Sequence, residues 1–584
     1  MKRNPAFNFC GDRSSNMKKF VWRSTRLFLW AGLIMHSTLA LAALDRIGDF
    51  ALLDSGGEFH QLSRYQHKKA LVVMSYSADC AAMPDSLIAY ETLSKRYSAD
   101  GIEFLLIDSK GSNRADLQSL QTSLPVLEDA GQLVSETLGI QYAGDVRVLN
   151  PQRLTVLYKG PPLIELEQTL TELLVRNIRD TVNVSNHGCA IPYPPRTIHS
   201  SSAPDYASEI APIIIEKCAE CHRKGGVGPF QIDSYLALLG WSPMIREVLL
   251  TRRMPPTQID PWIGHTKNAR KLSTQQLQTL VHWIDAGAPK GDDEVDPLAS
   301  FDAENNSEGQ TEWLLGEPDF IASTSNSIPA TGLLDYVHVD IDLPFTEDKW
   351  IRAIQYLPGN EAVLHHLMAY VTAPDEDFWG AERDHEAVQR RFLEGFNPGR
   401  ASVTEYPAGT AVFIPRGHRL SLQFHYMSNG SAGVDNTQVG LYFSEQPGLQ
   451  ELLTQTVSSK QFVLPPESAE YKMQAQYLFD KEVTITGLRA RMSYRGKAMK
   501  FSVERPDGTT EELLSIPAWN YGWQPHYVLT DAVQIPAGSR VHVSGAFDNS
   551  ISNPANPDPG KEVHFGVSSA DELFTGYFTY YETP

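Results

Sequence analysis

Cysteine is scarce here, with five in 584 residues. That is too few for a chain held together by disulfides. Only two of the five lie close together, so no second Cys pair exists to complete a four-thiolate zinc site. Positive charge is also in deficit. Fifty Lys and Arg stand against 70 Asp and Glu, a formal net charge of -20, which argues against a nucleic-acid partner. Long apolar runs are missing except for Leu27 to Leu41, so nothing beyond the N-terminal region is expected to cross a bilayer. A chain of this length exceeds what one core can organise, and three or four domains are expected.

The one apolar run sits in a recognisable setting. Lys18, Lys19, Arg23 and Arg26 precede it, Ala40-Leu41-Ala42 follows as a small-x-small cleavage pattern, and Asp45 comes soon after. Residues 1–42 therefore read as a secretory signal peptide, and the mature protein as exported to the periplasm. His36, Ser37 and Thr38 interrupt the run, which argues against an uncleaved anchor. The n-region is long, and Met17 competes with Met1 as the start.

The two close cysteines lie in Lys217-Cys218-Ala219-Glu220-Cys221-His222. Cys-x-x-Cys-His is the attachment signature of c-type haem. Two thiols one helical turn apart can each bond a vinyl carbon of one haem, and the following His then faces the iron. The alternative, half of a zinc site, lacks its other half. His222 is the expected proximal ligand, and Lys224 to Phe230 forms a glycine-rich turn beside it. The distal ligand should be a thioether on a loop. Met254 in Arg252-Arg253-Met254-Pro255-Pro256 fits, because two prolines stiffen its presentation. A helix follows, with Ser273 as N-cap, Gln276 completing a capping box, Leu277, Leu280, Val281 and Ile284 on one face, and Gly287 at its end. Residues 204–293 resemble a small class I-type cytochrome c. That resemblance implies an all-α domain, covalent haem c, and electron transfer with an external donor or acceptor.

Upstream, residues 45–190 show buried-strand runs at Leu71 to Met74 and Phe104 to Ile107, a helix over Ala89 to Tyr97 between them, and a hairpin from Val146 to Leu149 and Thr155 to Tyr158. This order resembles the α/β thioredoxin-like fold, in its redoxin branch. The reactive position reads Ser77-Ala78-Asp79-Cys80-Ala81-Ala82-Met83, with no resolving cysteine three residues on, as dithiol exchange requires. Where the family places a cis-proline, the chain reads Tyr142-Ala143-Gly144-Asp145. Cys80 and Cys189 are left over, either as a disulfide in an oxidising compartment or with Cys80 as a lone thiol at a helix start. The domain reads as a degenerate scaffold.

From Asp292 to Gln310 the chain is polar and aperiodic and reads as a linker. Beyond it, short alternating strands such as Val337 to Ile341 and Leu420 to Phe424 predict all-β sandwiches. Leu364-His365-His366-Leu367-Met368, Leu422-Gln423-Phe424-His425-Tyr426, and Phe547-Asp548-Asn549-Ser550 running on to Pro559 together resemble the copper type II, ascorbate-dependent monooxygenases, the family of peptidylglycine and dopamine hydroxylases. The resemblance implies two jelly-roll-like sandwiches, 312–450 and 451–584. The first would hold copper through His365, His366 and His425. Adjacent strand residues point to opposite faces, so joint ligation by His365 and His366 requires a strand end or a bulge.

The family's second copper, the one that binds oxygen, uses His-x-His ahead of an Arg-Gly-Lys turn, and a Met after Asp-Glu. Here those positions hold Arg491, Ser493 and Leu573. All three ligands are gone, and Arg491 places a permanent cation where a metal should sit. Met492, His526, His542 and His564 are conceivable substitutes, but they read better as ordinary residues. The sequence thus predicts an oxidoreductase with haem c and one copper, haem feeding electrons to the three-His site, acting on a small-molecule or peptide substrate. The alternative is an electron-transfer or copper-handling protein without hydroxylase activity.

Overall fold

The computed structural model describes residues 44–583, except 225, 257–258, 268, 293, 306–311, 333, 377–390, 398–402, 567 and 569. The signal-peptide reading lies outside the described residues. Among those described, no helix is long and apolar enough to cross a membrane.

The first domain is built on a six-stranded mixed sheet. Its order is Val126–Glu128, Ile102–Asp108, Ala70–Tyr76, Val146–Asn150, Thr155–Gly160 and Val182–Asn183. Ala70–Tyr76 pairs parallel to Ile102–Asp108 and antiparallel to Val146–Asn150. Every residue of Ala70–Tyr76 is buried, as a near-continuous apolar run demands when helices cover both sheet faces. Helix Met83–Tyr97 crosses between the parallel strands. The Tyr90 hydroxyl anchors it, 2.8 Å from the Val72 carbonyl and 2.9 Å from that of Leu105. Parallel strand, helix, strand and then an antiparallel hairpin make this a thioredoxin-like domain.

A helical region follows. Pro194–Ser201, Tyr235–Leu250 and Thr274–Asp285 surround the stretch Tyr206 to Ala219, which carries two wide π turns, Tyr206–Ile210 and Ile215–Ala219. Pro212 has no N–H for the usual helical bond, a condition that favours such widening. The capping box of Ser273 and Gln276 is present. Ile210, Ile214, Leu280, Val281 and Trp283 form the core, with Cys218, Phe230 and Trp241 packed against it.

The expected linker departs from the sequence reading. Pro297–Asn305 is a helix. Asp296 accepts from the Tyr206 hydroxyl and the Tyr235 N–H, and Leu298 is buried in the helical core. The apolar Leu298 and the multiply bonded Asp296 carboxylate tie down a stretch that composition marks as loose.

Two sandwiches complete the chain. The first packs Val337–Asp342, Arg419–Tyr426, Leu364–Thr372 and Arg391–Phe396 against a sheet centred on Lys349–Leu357 and Gln438–Phe443. The second packs Leu453–Ser459, Phe574–Glu582, Val483–Arg491 and His526–Ile535 against Tyr471–Leu478, Arg540–Phe547, Gly496–Glu504 and Thr510–Ile516. The loop after Tyr235–Leu250 docks into the second sandwich. Ile259 joins its core, the Thr530 N–H donates to the His265 carbonyl at 2.8 Å, and the Lys267 N–H to that of Val528 at 2.9 Å. Asp260 on the same loop, fully buried, accepts from Arg114 of the thioredoxin-like domain at 2.6 Å.

Candidate metal centre

His365 and His366 start the strand Leu364–Thr372, and His425 lies on its neighbour Arg419–Tyr426. The ladder pairs Leu364 with Tyr426 and then His366 with His425, so the register slips at His365. That residue is the extra one of a β-bulge. The bulge breaks the alternation that would otherwise send adjacent side chains to opposite faces. Both rings turn to one side, where His425 meets them.

The Nδ1 atoms converge. His365 Nδ1 is 3.0 Å from His366 Nδ1 and 3.1 Å from His425 Nδ1. The three buried residues are the one group of His, Cys, Asp or Glu side chains able to hold a metal ion among the described residues. Burial pushes His365 down to about 4, against a hydrogen bond from its ring N–H to the Gly522 backbone that favours its charge. Burial, then the neighbouring His365 and Arg491, takes His425 down to about 3. His366 is held well below the usual imidazole range by burial, the other two imidazoles, Arg491 and Arg489. All three are therefore neutral near pH 7 and offer lone pairs.

Aromatic rings enclose the group. Tyr336 lies 5.3 Å from the His425 ring and 6.0 Å from that of His366. The guanidinium of Arg491 sits 5.5 Å from the Tyr336 centroid and donates to Gln423 Oε1 at 2.7 Å. A cavity of about 770 Å³ opens onto the site, its wall including His365, His425, Tyr494, Tyr521, Met254 and, from the thioredoxin-like domain, Arg64.

The three positions that the resemblance would assign to a second copper are Arg491, Ser493 and Leu573. Arg491 is paired with Thr575 at the end of its strand. All three positions are buried. The Ser493 N–H donates to Glu572 Oε2 at 2.8 Å, and its carbonyl accepts from Trp519 Nε1 at 3.0 Å. None of the substitutes gathers there. His526 is held between Glu394 and Thr579, His542 lies beside Glu504, and His564 beside Glu562. Met492 is buried in the core of the second sandwich.

In the Cys-x-x-Cys-His motif, the N–H groups of Cys221 and His222 both donate to the Cys218 carbonyl, a helical turn that sets the two sulfurs one turn apart. Both thiols are free and partly buried, and burial raises Cys218 to about 12 and Cys221 to about 11. His222 Nδ1 lies 2.9 Å from the Phe230 carbonyl, so Nδ1–H donates there and Nε2 is left free, the tautomer an axial iron ligand needs. Gly228 permits this fold-back, since a Cβ there would come within 2.7 Å of His222 Nδ1 and of the Cys221 carbonyl oxygen. These donors fit a covalent haem. Met254 follows the helix end with its side chain 41% exposed, on the wall of the cavity that reaches His365 and His425.

The residue after the motif, Arg223, forms an ion pair with Glu361, four positions ahead of His365. The sequence gives no hint of this pairing. Nor does it mark Tyr336, Tyr521 and Gly522 as neighbours of the triad. The only available signal was the aromatic density of Trp519-Asn520-Tyr521-Gly522-Trp523.

In the thioredoxin-like domain, Cys80 and Cys189 are joined as a disulfide with Cα atoms 5.7 Å apart. The Ala143 N–H donates to the Cys189 carbonyl at 2.8 Å and the Ile191 N–H to that of Gln141 at 2.8 Å. The stretch standing where the family has its cis-proline is thus covered by the chain's own segment.

No family model matches the chain, and no curated protein matches it. Several solved structures are similar to about a quarter of the chain. The peroxidoxin BcpB from Mycobacterium tuberculosis is 17% identical, covering 24% of this chain and 99% of its own, at TM-score 0.20. A thiol-disulfide oxidoreductase from Bacteroides fragilis NCTC 9343 is 18% identical over 22% of this chain and 99% of its own, at 0.21. The thioredoxin domain of thiol-disulfide oxidoreductase BVU-2223 from Bacteroides vulgatus is 13% identical over 23% and 99%, also at 0.21.

Proposed function

We propose that this chain is an exported, periplasmic oxidoreductase in which a c-type haem on Cys218 and Cys221 exchanges electrons with one copper ion held by His365, His366 and His425. The observation that carries the reading is the bulge at His365, which turns two adjacent imidazoles toward a third. Nothing in sandwich packing asks for three buried neutral histidines nose to nose. Three nitrogen donors with no carboxylate suit copper cycling between Cu(II) and Cu(I). The haem, when bound, supplies one-electron reducing equivalents.

The chain's own residues do the rest. His222 holds its proton on Nδ1 against Phe230 and keeps Nε2 for iron. Met254 is the expected sixth ligand. Arg223 and Glu361 fix the haem motif against the loop that leads into the copper strand. Arg491, Ser493 and Leu573 leave no ligands for an oxygen-binding second copper, so the usual two-copper hydroxylation does not apply. That same loss favours the second reading, an electron-transfer or copper-handling protein without turnover of an organic substrate.

Metal analysis of the purified holoprotein tests the first claim, with one iron and one copper per chain expected. Mixing the copper-loaded, haem-reduced protein with oxygen and candidate small-molecule or peptide substrates separates the readings. Substrate-dependent haem reoxidation marks an enzyme, and reoxidation only by external acceptors marks a carrier. A holoprotein that takes up no copper overturns the proposal.

A further inference from the structure

His365 and His425 turn their Nδ1 atoms inward, so their Nε2 atoms face away from the centre. Both back onto one short stretch of the second sandwich. Tyr521 Oη lies 3.4 Å from His425 Nε2, and the Gly522 backbone hydrogen-bonds to His365. The Tyr521 ring is nearly parallel to that of His365, 17° between planes at 6.0 Å. It stands edge-on to His425 at 5.7 Å. This stretch runs between Pro517 and Pro525 and is braced from within. Gln524 Nε2 donates to the Tyr521 carbonyl and the Gly522 N–H to Asn520 Oδ1, both at 2.9 Å. From outside, Trp519 Nε1 donates to the Ser493 carbonyl, and the Tyr494 ring packs 4.1 Å from that of Tyr521.

An imidazole that ligates through Nδ1 carries its proton on Nε2 and donates it outward, and the acceptor it finds fixes both tautomer and ring orientation. In this fold the acceptor for His425 comes from the other sandwich. We propose that residues 519–524 are the outer layer of the three-histidine centre, with Tyr521 as a positioning residue that receives the His425 Nε2–H. The second sandwich then serves metal chemistry by orienting ligands that belong to the first, without holding an ion itself. Loading the centre and locking the two sandwiches together become one linked event. This rests on the copper reading above.

The test is Tyr521→Phe in the full haem-loaded chain, which keeps the ring and removes the acceptor. Cu(I) affinity, read by competition with a chromophoric Cu(I) chelator, should fall by roughly 10- to 100-fold. The Cu(II) electron paramagnetic resonance hyperfine splitting should change. Copper should slow hydrogen exchange across residues 519–524 in the parent protein and not in the variant. Haem absorption and thermal unfolding of the copper-free protein should stay as in the parent, which a merely structural role would not allow. Unchanged affinity and spectrum in a folded variant overturn the proposal. If Tyr521→Phe does not fold, Gln524→Ala loosens the same stretch from behind, and it should weaken copper binding in the same direction. Equal affinity there overturns the proposal as well. Failure of the parent protein to bind copper is a different result, seen before any variant is made, and it sinks the copper reading itself.

Discussion

Arg223, next to the Cys-x-x-Cys-His motif, forms an ion pair with Glu361, four positions before His365, their side chains only 20% and 15% exposed. A pair this sheltered is screened less than a surface pair, and removing one partner strands the other charge. Arg223→Glu should slow haem-to-copper electron transfer in stopped-flow traces, with iron and copper content intact. The swapped pair, Arg223→Glu with Glu361→Arg, should recover most of the rate. A double-mutant cycle on stability should return a coupling of about 1 kcal/mol.

Replacing any one of His365, His366 or His425 by Ala should abolish stoichiometric copper uptake while leaving one iron per chain, by elemental analysis. The converse is more demanding. Arg491→His, Ser493→His and Leu573→Met together replace a buried cation with the three donors the family uses. The triple variant should bind a second copper, and a content that stays at one would mean the pocket has closed beyond the reach of its ligands.

The buried histidines set an acid limit on the copper-free fold. His365 and His425 stand at about 4 and about 3 when folded, against about 6.5 in an unfolded chain. Between those values the unfolded state binds more protons, so stability rises with pH. It should therefore be lost as pH drops from about 6.5 toward 3. Denaturant unfolding of His425→Gln over this window should show a shallower pH slope than the parent.

Cys80 and Cys189 are 109 positions apart. Cys189→Ser should cost about 2 to 4 kcal/mol of stability by releasing that loop in the unfolded chain. Calorimetry should show the loss, and metal content should not change.

Much of this architecture was legible because it is local. The apolar run from Leu71 to Met74 announced a buried strand, found within Ala70–Tyr76, and Ser273 with Gln276 announced a helix start. The His365-His366 doublet carried a sharper message, since two adjacent strand residues cannot share a face unless the strand is broken, and the break is there. What stayed hidden depends on distant partners. Tyr521 meets His425 across 96 positions and Arg223 meets Glu361 across 138, and no periodicity records such contacts. The helix Pro297–Asn305 escaped because its order comes from Leu298 and Asp296, two residues in a polar stretch, engaging a core built by other segments.

The docking of residues 259–267 into the second sandwich has a kinetic consequence. Redox modules strung on flexible tethers deliver electrons by diffusing between stations, and their rates slacken in viscous solution. Here the Thr266–Leu529 bridge and its flanking bonds make the helical region a fixture. Traffic between iron and copper should be indifferent to added glycerol, a relay with its stations bolted down.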